Sequence, residues 1–293
     1  MLRSDEPPFR RARPVFRALL LAAAGLMLAQ CDREADPPSP PAAPPAPAAA
    51  APIIVTPSAT LPTLSRAGLL ESVNRAASAY AAGETADRSD PLVGRAFAIR
   101  LPFACSGPTP AAKTGTDGVP VAVPGPDGKT VRLALTPNDW TRSPLIAGAS
   151  AGAQSGTVPS WEAVEGFWIP RPWLAAETCP VVRRDPSQAA APDSPQSVGL
   201  ASVFEAGGSR LTRRNGRAYA FTRRADGDEP LTAPTGGYRV LLEGRIAAFP
   251  NGRAIRCHAP GPDQRPVCVA AVQMDRVAFE DDAGAVLSEW RRG

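Results

Sequence analysis

Hydrophobic positions downstream of residue 60 first follow a helical period. One stretch carries apolar residues on a single helical face, at Leu69, Val73, Ala76 and Tyr80. Ser65 precedes this stretch and is a favourable N-cap, because its hydroxyl can accept a hydrogen bond from a free amide of the first turn. Gly83 follows the stretch, where a left-handed residue commonly ends a helix. The pattern predicts one N-terminal helix near residues 66–82.

The period then changes to two, which is typical of half-buried strands. Phe97, Ile99 and Leu101 lie on one face of an alternating segment. The turn-forming sequence PGPDGK predicts a hairpin over residues 119–136. Further strands are predicted at 198–204, 238–249, 267–279 and 286–290, and the Asn-Gly pairs at 215–216 and 251–252 favour tight hairpin turns. We therefore expect a mainly β protein with about nine to eleven strands, arranged as antiparallel sandwich or barrel-like sheets.

A polar, proline-containing stretch at residues 183–196 is interpreted as a linker. It separates a β-rich subdomain with the helix, at 61–182, from an antiparallel β subdomain at 197–293. The apolar residues are numerous enough for one large domain or two small ones, so both arrangements stay open.

The first thirty residues have the organisation of an export signal. Five arginines precede residue 18, and the following 13 residues, Ala18–Gln30, are uncharged. This run is shorter than the ~20 residues of a membrane span and suits the apolar region of a signal peptide. The sequence Leu28-Ala29-Gln30-Cys31 resembles the lipobox of bacterial lipoproteins, although Gln30 replaces the small residue that the family usually carries.

The resemblance implies that residues 1–30 are removed and that Cys31 is acylated and becomes the N-terminus. It also implies a membrane partner through the lipid anchor and a location in the bacterial cell envelope, facing the periplasm. The inner and outer membranes stay open, and secretion without lipidation or an uncleaved anchor is the alternative.

Residues 31–60 form a tether in this interpretation. Seven prolines lie between residues 37 and 47, and proline denies the chain a helix and favours extended polyproline geometry. At about 3.1 Å per residue, such a stretch spans up to about 90 Å.

The formal charge of +4 does not indicate a nucleic-acid partner. Residues 1–17 contain five of the 32 cationic residues and two of the 28 acidic ones, which leaves 27 cations against 26 acids in the rest of the chain. Binding to nucleic acid requires a concentrated basic face. We therefore expect no nucleic-acid binding.

The cysteine count favours an oxidising compartment. Four cysteines follow Cys31, and an even number suits two disulfides. Cys257 and Cys268 are 11 positions apart across a Pro/Gly-rich turn, so we expect them to pair, which leaves Cys105 to pair with Cys179. A zinc site and free thiols in a cytosolic protein are the alternatives, but no C-x₂-C spacing occurs.

Candidate catalytic chemistry is sparse. His258 is the single histidine of the chain, which excludes multi-histidine metal sites. Ser150 lies in a G-x-S-x-G sequence that is similar to the nucleophile elbow of α/β-hydrolases, but neither a strand nor a helix is predicted beside it. We expect no enzymatic activity, cofactor or metal, and keep a periplasmic serine hydrolase using Ser150 and His258 as the alternative. The acidic stretch 280–282 is interpreted as a solvated turn.

Tryptophans are concentrated in one segment. Four of the five tryptophans fall within 34 residues. Flat aromatic faces beside arginine give large contact areas at low entropic cost, so this segment is a candidate binding surface, and filling of a core is the alternative. Its members are Trp140, Trp161, Trp168, Arg171 and Trp173. The expected function is a non-enzymatic binding or assembly module for peptidoglycan or another envelope protein; binding of a small molecule or lipid cargo inside a β cavity is a further alternative.

Overall fold

A computed structural model describes residues 61–84, 90–109, 117–147, 161–181, 195–205, 217–227 and 229–292. The predicted signal peptide, Cys31, the tether, Ser150 and the Asn-Gly turn at 215–216 lie outside these residues. Within the described ranges, no helix is both long enough and apolar enough to cross a membrane.

The predicted helix is confirmed as α1, Arg66–Ala81. The Ser65 hydroxyl caps it by accepting a hydrogen bond from the Gly68 amide at 3.3 Å. Leu69, Leu70 and Val73 are buried on its inner face. The chain leaves the helix through Gly83, whose φ of 69° lies in the left-handed region that favours glycine. A second helix, α2, is the single turn Pro144–Ala147.

The mainly β prediction is confirmed, with eleven strands among the described residues. They are β1 (Ala96–Phe103), β2 (Pro120–Pro124), β3 (Thr130–Leu135), β4 (Asn138–Asp139), β5 (Trp161–Trp168), β6 (Val198–Glu205), β7 (Ala220–Arg224), β8 (Tyr238–Ile246), β9 (Ile255–His258), β10 (Val267–Glu280) and β11 (Val286–Arg291). The predicted hairpin over 119–136 is β2–β3, whereas β5 had been interpreted only as part of the tryptophan segment.

β10 is the centre of an eight-stranded sheet. Six of the strands follow the order β1-β8-β10-β6-β5-β4, and the other two, β9 and β11, pair with β10 outside this order. Its N-terminal half pairs with β6 and β9, and its C-terminal half pairs with β8 and β11. A register shift between Met274 and Arg276 separates the two halves. The β6–β10 pairing is parallel, so the sheet is mixed, although its other strand pairings among the described residues are antiparallel. The two strands are separated in the chain by β7, β8 and β9, so no hairpin dictates their direction.

Both sheets combine strands from either side of the predicted linker. In the large sheet β1 pairs with β8, and in the small sheet, of order β2-β3-β7, β3 pairs with β7. Residues 58–293 form one compact unit. The stretches 61–182 and 197–293 therefore share their sheets, which is the single-domain arrangement.

The β5-β6-β10 region is buried on both faces. Along β6, Leu200 belongs to the main core, and its neighbour Ala201 belongs to a second, smaller core. Along β10, Ala270 and Ala271 divide in the same way, as alternation along a strand requires. The second core also contains α2 residues, and this is where the tryptophan segment folds.

Candidate functional site

Three of the five residues in the candidate binding surface pack in or against the second core. Trp140 is 5 % exposed, so the prediction that it lies on a binding surface is wrong. Trp140 and Trp168 meet edge to face, with ring centroids 4.7 Å apart, and Trp161 packs on Phe249 at 5.6 Å. Alternation along β5 places Val164 and Trp168 on the second-core face. Trp161 is an odd number of positions from Trp168, and the register shift between Trp161 and Ala163 brings it to the same face.

The Trp140 ring lies directly on two glycines. A Cβ atom added at Gly166 would lie 2.1 Å from Trp140 Cδ2, and one added at Gly199 would lie 2.6 Å from Trp140 Cη2. Any other residue at these positions would displace the indole. The close approach of the ring to the backbone explains why this tryptophan is buried so completely.

The remaining two residues, Arg171 and Trp173, lie on a surface loop at residues 170–179, called here the 170–179 loop. Trp173 is 62 % exposed, although its neighbour Pro172 is buried. Arg171 is exposed and has a φ of 51°. The structure thus divides the predicted surface into a core group of tryptophans and an exposed pair.

A buried arginine holds the 170–179 loop in place. Arg66 is 1 % exposed, and its guanidinium donates to the carbonyls of Pro170 at 2.7 Å, Leu174 at 2.8 Å, Arg100 at 3.2 Å and Arg171 at 3.3 Å. Burial lowers the pKa of Arg66 to about 10, so the side chain stays charged at neutral pH. These charge-assisted bonds pin three carbonyls of the loop to the start of α1.

Glu177 supplies a second anchor inside the loop. Its Oε1 accepts a hydrogen bond from the Arg66 amide at 3.3 Å, and its Oε2 lies 3.7 Å from Arg100 Nη1. Arg100 in turn donates to Glu280 at 2.9 Å, and this hydrogen bond raises the pKa of Arg100. Glu280 is 2 % exposed and also lies 3.7 Å from Arg239 Nε, so it is a buried ion-pair partner and not the solvated turn residue expected from the sequence.

The expected disulfide pairing is confirmed. Cys105 bonds to Cys179 with a Cα–Cα distance of 5.5 Å, which ties the end of the 170–179 loop to the chain just after β1. Cys257 bonds to Cys268 between directly opposed positions of β9 and β10. Gly237 makes room for the first bridge, since a Cβ there would lie 3.0 Å from Cys179 Sγ.

Backbone strain is found beside the first disulfide. Among the described residues, Ala104 (φ 52°) and Arg171 (φ 51°) are the non-glycine residues with positive φ. A left-handed conformation at such residues persists only where the surrounding structure imposes it. Arg171 Nη1 lies 4.0 Å from Cys105 Sγ, so the two strained positions flank the same junction.

The hydrolase pair is not brought together by the described residues. His258 is half-buried at the end of β9, where it is paired with Val267, and its imidazole makes no hydrogen bond or ion pair within the part of the chain that the structure describes. Ser150 lies outside the described residues. Nor do the described residues contain a group of three or more potential metal ligands.

Two concave regions lie near β10 and β11. One is a cavity of about 20 Å³ beside Tyr219 and Trp290, which is the size of a single water molecule. The other is a surface groove of about 580 Å³ beside Glu243, Asp275 and Arg276. The charges of this groove are already satisfied, because Arg276 bonds to Glu243 at 3.0 Å and Arg292 lies 3.9 Å from Asp275.

Of the exposed features, the 170–179 loop combines an aromatic side chain, a cation and a fixed backbone. The sequence pointed to Arg171 and Trp173 through their composition alone. It gave no signal for Arg66, Glu177 or Glu280, whose roles depend on contacts between distant segments. No family model, no curated protein and no solved structure matches the chain.

Proposed function

We propose that this protein is a bacterial envelope lipoprotein whose β domain acts as a non-enzymatic binding or assembly module. In this account Cys31 carries the lipid anchor, and residues 32–60 are a tether that holds the domain away from the membrane. The observation that carries the proposal is the pairing of all four cysteines that follow Cys31. Such complete pairing is typical of proteins that mature in an oxidising compartment such as the periplasm.

The binding role is supported by the anchoring of the 170–179 loop to the rest of the domain. Three anchors fix the 170–179 loop: the Arg66 guanidinium, the Glu177 carboxylate and the Cys105–Cys179 bridge. A loop that is ordered before binding pays little entropy on association. A rigid scaffold that presents a loop is a common arrangement for recognition.

The two alternatives have less support. A serine hydrolase needs Ser150 beside His258, and the described surroundings of His258 supply no acidic partner. Cargo binding needs a cavity of a few hundred cubic ångströms inside the β structure. The small pocket beside Trp290 has about 20 Å³, and large buried side chains such as Phe97, Phe167 and Phe279 occupy the main core.

Fractionation of cells that express the full chain tests the anchor. We expect the wild-type protein in the membrane fraction with acyl mass on Cys31, and Cys31→Ala without acyl mass, because the cysteine thiol is the group that accepts the lipid. Gln30→Gly is the matched control: it introduces the usual small residue of the lipobox and should keep the protein membrane-bound. A wild-type protein that is released as a soluble chain, or a Cys31→Ala variant that is still acylated, would refute the proposal.

A further inference from the structure

We propose that the 170–179 loop is a recognition site for a carboxylate-bearing glycan, with Trp173 stacking on a sugar ring and Arg171 pairing with a carboxylate. This inference rests on the proposed envelope location, where peptidoglycan is the glycan that a periplasmic domain meets. It narrows the partner class to one chemistry and assigns the site to two side chains.

Trp173 provides the flat aromatic face of the site. At 62 % exposed it contrasts with Trp140 at 5 % and Trp290 at 4 %, and the other two tryptophans are half-buried. A tryptophan left in solvent on a fixed loop offers a flat apolar face together with an N–H donor. The apolar face of a pyranose ring is complementary to such an indole, and the indole loses little side-chain freedom on stacking.

Arg171 provides the cation of the site. The neighbouring cations are engaged: Arg66 binds backbone carbonyls, and Arg100 binds Glu177 and Glu280. Arg171 is exposed and makes no ion pair with any residue that the structure describes. A guanidinium in this state is available for bidentate pairing with a carboxylate, the geometry that arginine favours over lysine.

The backbone conformation of the 170–179 loop is fixed at Arg171. The left-handed φ of Arg171 is imposed by contacts on both sides of it, since Arg66 binds the Pro170 and Arg171 carbonyls and the disulfide closes the loop at Cys179. Strain of this kind is found where a side chain has to be presented in a fixed direction. Arg66 is thus a positioning residue for the site and does not itself touch the ligand.

The size of the site favours a sugar over a protein. Stable protein partners each bury about 800 Å² around a cluster of large anchoring side chains. In the 170–179 loop the exposed residues after Trp173 are Ala175, Ala176 and Thr178, and none of them is a large anchoring side chain. One indole beside one guanidinium matches one sugar ring and one carboxylate, carried by the glycan or by the peptide attached to it.

Co-sedimentation of the detergent-solubilised full chain with purified peptidoglycan sacculi tests the proposal. We expect Trp173→Ala to weaken binding at least about tenfold, Trp173→Phe to restore part of it, and Arg171→Gln to weaken binding several-fold. Val181→Ala is the matched control, because Val181 is 94 % exposed two residues beyond Cys179 and should not affect binding. Arg171, Trp173 and Val181 are all exposed, so the urea midpoints of these variants should equal that of the wild type.

The outcomes separate this inference from the proposed function. Equal sedimentation of wild type, Trp173→Ala and Arg171→Gln would overturn the site while leaving a peptidoglycan-binding lipoprotein. No sedimentation of the wild type, with photo-cross-linking from position 173 to an envelope protein, would overturn the glycan and leave a protein partner. A wild-type chain that carries no lipid and is not exported would instead refute the proposed function itself. Arg66→Lys adds a positioning readout: binding should weaken although Arg171 and Trp173 are both present.

Discussion

Removal of each disulfide in turn gives a quantitative test of the fold. Cys105–Cys179 closes a loop across a sequence separation of 74, and Cys257–Cys268 closes one across 11. If a bridge acts by restricting the unfolded chain, its contribution grows with the logarithm of loop length. The loop-closure relation gives about 4.5 kcal/mol for the long loop and about 2.8 kcal/mol for the short one.

The assay uses two variants that each keep one bridge. In Cys257→Ala/Cys268→Ala the difference in free energy of unfolding between oxidised and reduced protein reports the long bridge. In Cys105→Ala/Cys179→Ala the same difference reports the short bridge. Because each comparison is made within one variant, the cavity left by the alanines cancels.

The long bridge should contribute about 1.7 kcal/mol more than the short one, measured by urea denaturation with and without a phosphine reductant. An equal contribution, or a larger one from the Cys257–Cys268 bridge, would refute the reasoning. In that event the native β9–β10 pairing, and not the unfolded chain, would be the main source of stabilisation.

Three further predictions concern packing, the loop and the charged surface. Gly166→Ala should lower the free energy of unfolding by about 1–3 kcal/mol, because its methyl group would overlap the Trp140 ring. Gly261→Ala is the control, because a Cβ there would lie 4.0 Å from the Gln264 side chain, and both variants are measured by urea denaturation. Arg66→Met should lower the free energy of unfolding by about 2–4 kcal/mol, because it leaves buried carbonyls unpaired. Relative to the wild type, amide hydrogen exchange in this variant should become faster in the 170–179 loop than in β10. Hydrogen bonds from Arg291 and Arg276 lower the pKa of Glu289 below its ordinary value of 4.5, so its contribution to stability is present above about pH 4.5 and is lost as the pH falls through the lowered pKa. The loss of urea midpoint between about pH 6 and about pH 3 should therefore be smaller in Glu289→Gln than in the wild type, and an equal loss would exclude this linkage.

Local signals explain the elements that the sequence predicted well. α1 begins after the Ser65 cap and is followed by the left-handed Gly83. The turn between β2 and β3 is formed by a continuous run of six residues, PGPDGK. Each of these depends on residues that are neighbours in the chain, so periodicity and turn chemistry suffice to find them.

The features that the sequence did not predict depend on distant contacts. The parallel pairing of β6 with β10 joins segments that no hairpin connects. Burial of Trp140 requires two glycines, 26 and 59 positions further along the chain, so the tryptophan segment could not be divided into core and surface from composition. Arg66 reaches carbonyls more than 100 residues away, and its position at the start of a helix is typical of an exposed residue.

The disulfide pairing shows where simple elimination works. The short separation of Cys257 and Cys268 predicted the first pair, and the second pair was then the remaining choice. The same reasoning could not show that the Cys105–Cys179 bridge closes the loop that presents Trp173. That connection follows from the fold and gives the disulfide a direct bearing on the proposed site.

The intact mass of the protein purified from its native membrane fraction, before and after reduction and alkylation, tests the central claim most directly. The account predicts a chain that begins at Cys31 with added acyl mass, and four thiols that become alkylated only after reduction. An unprocessed chain without acyl mass, whose cysteines are alkylated without reduction, would contradict the envelope location and the lipid anchor together.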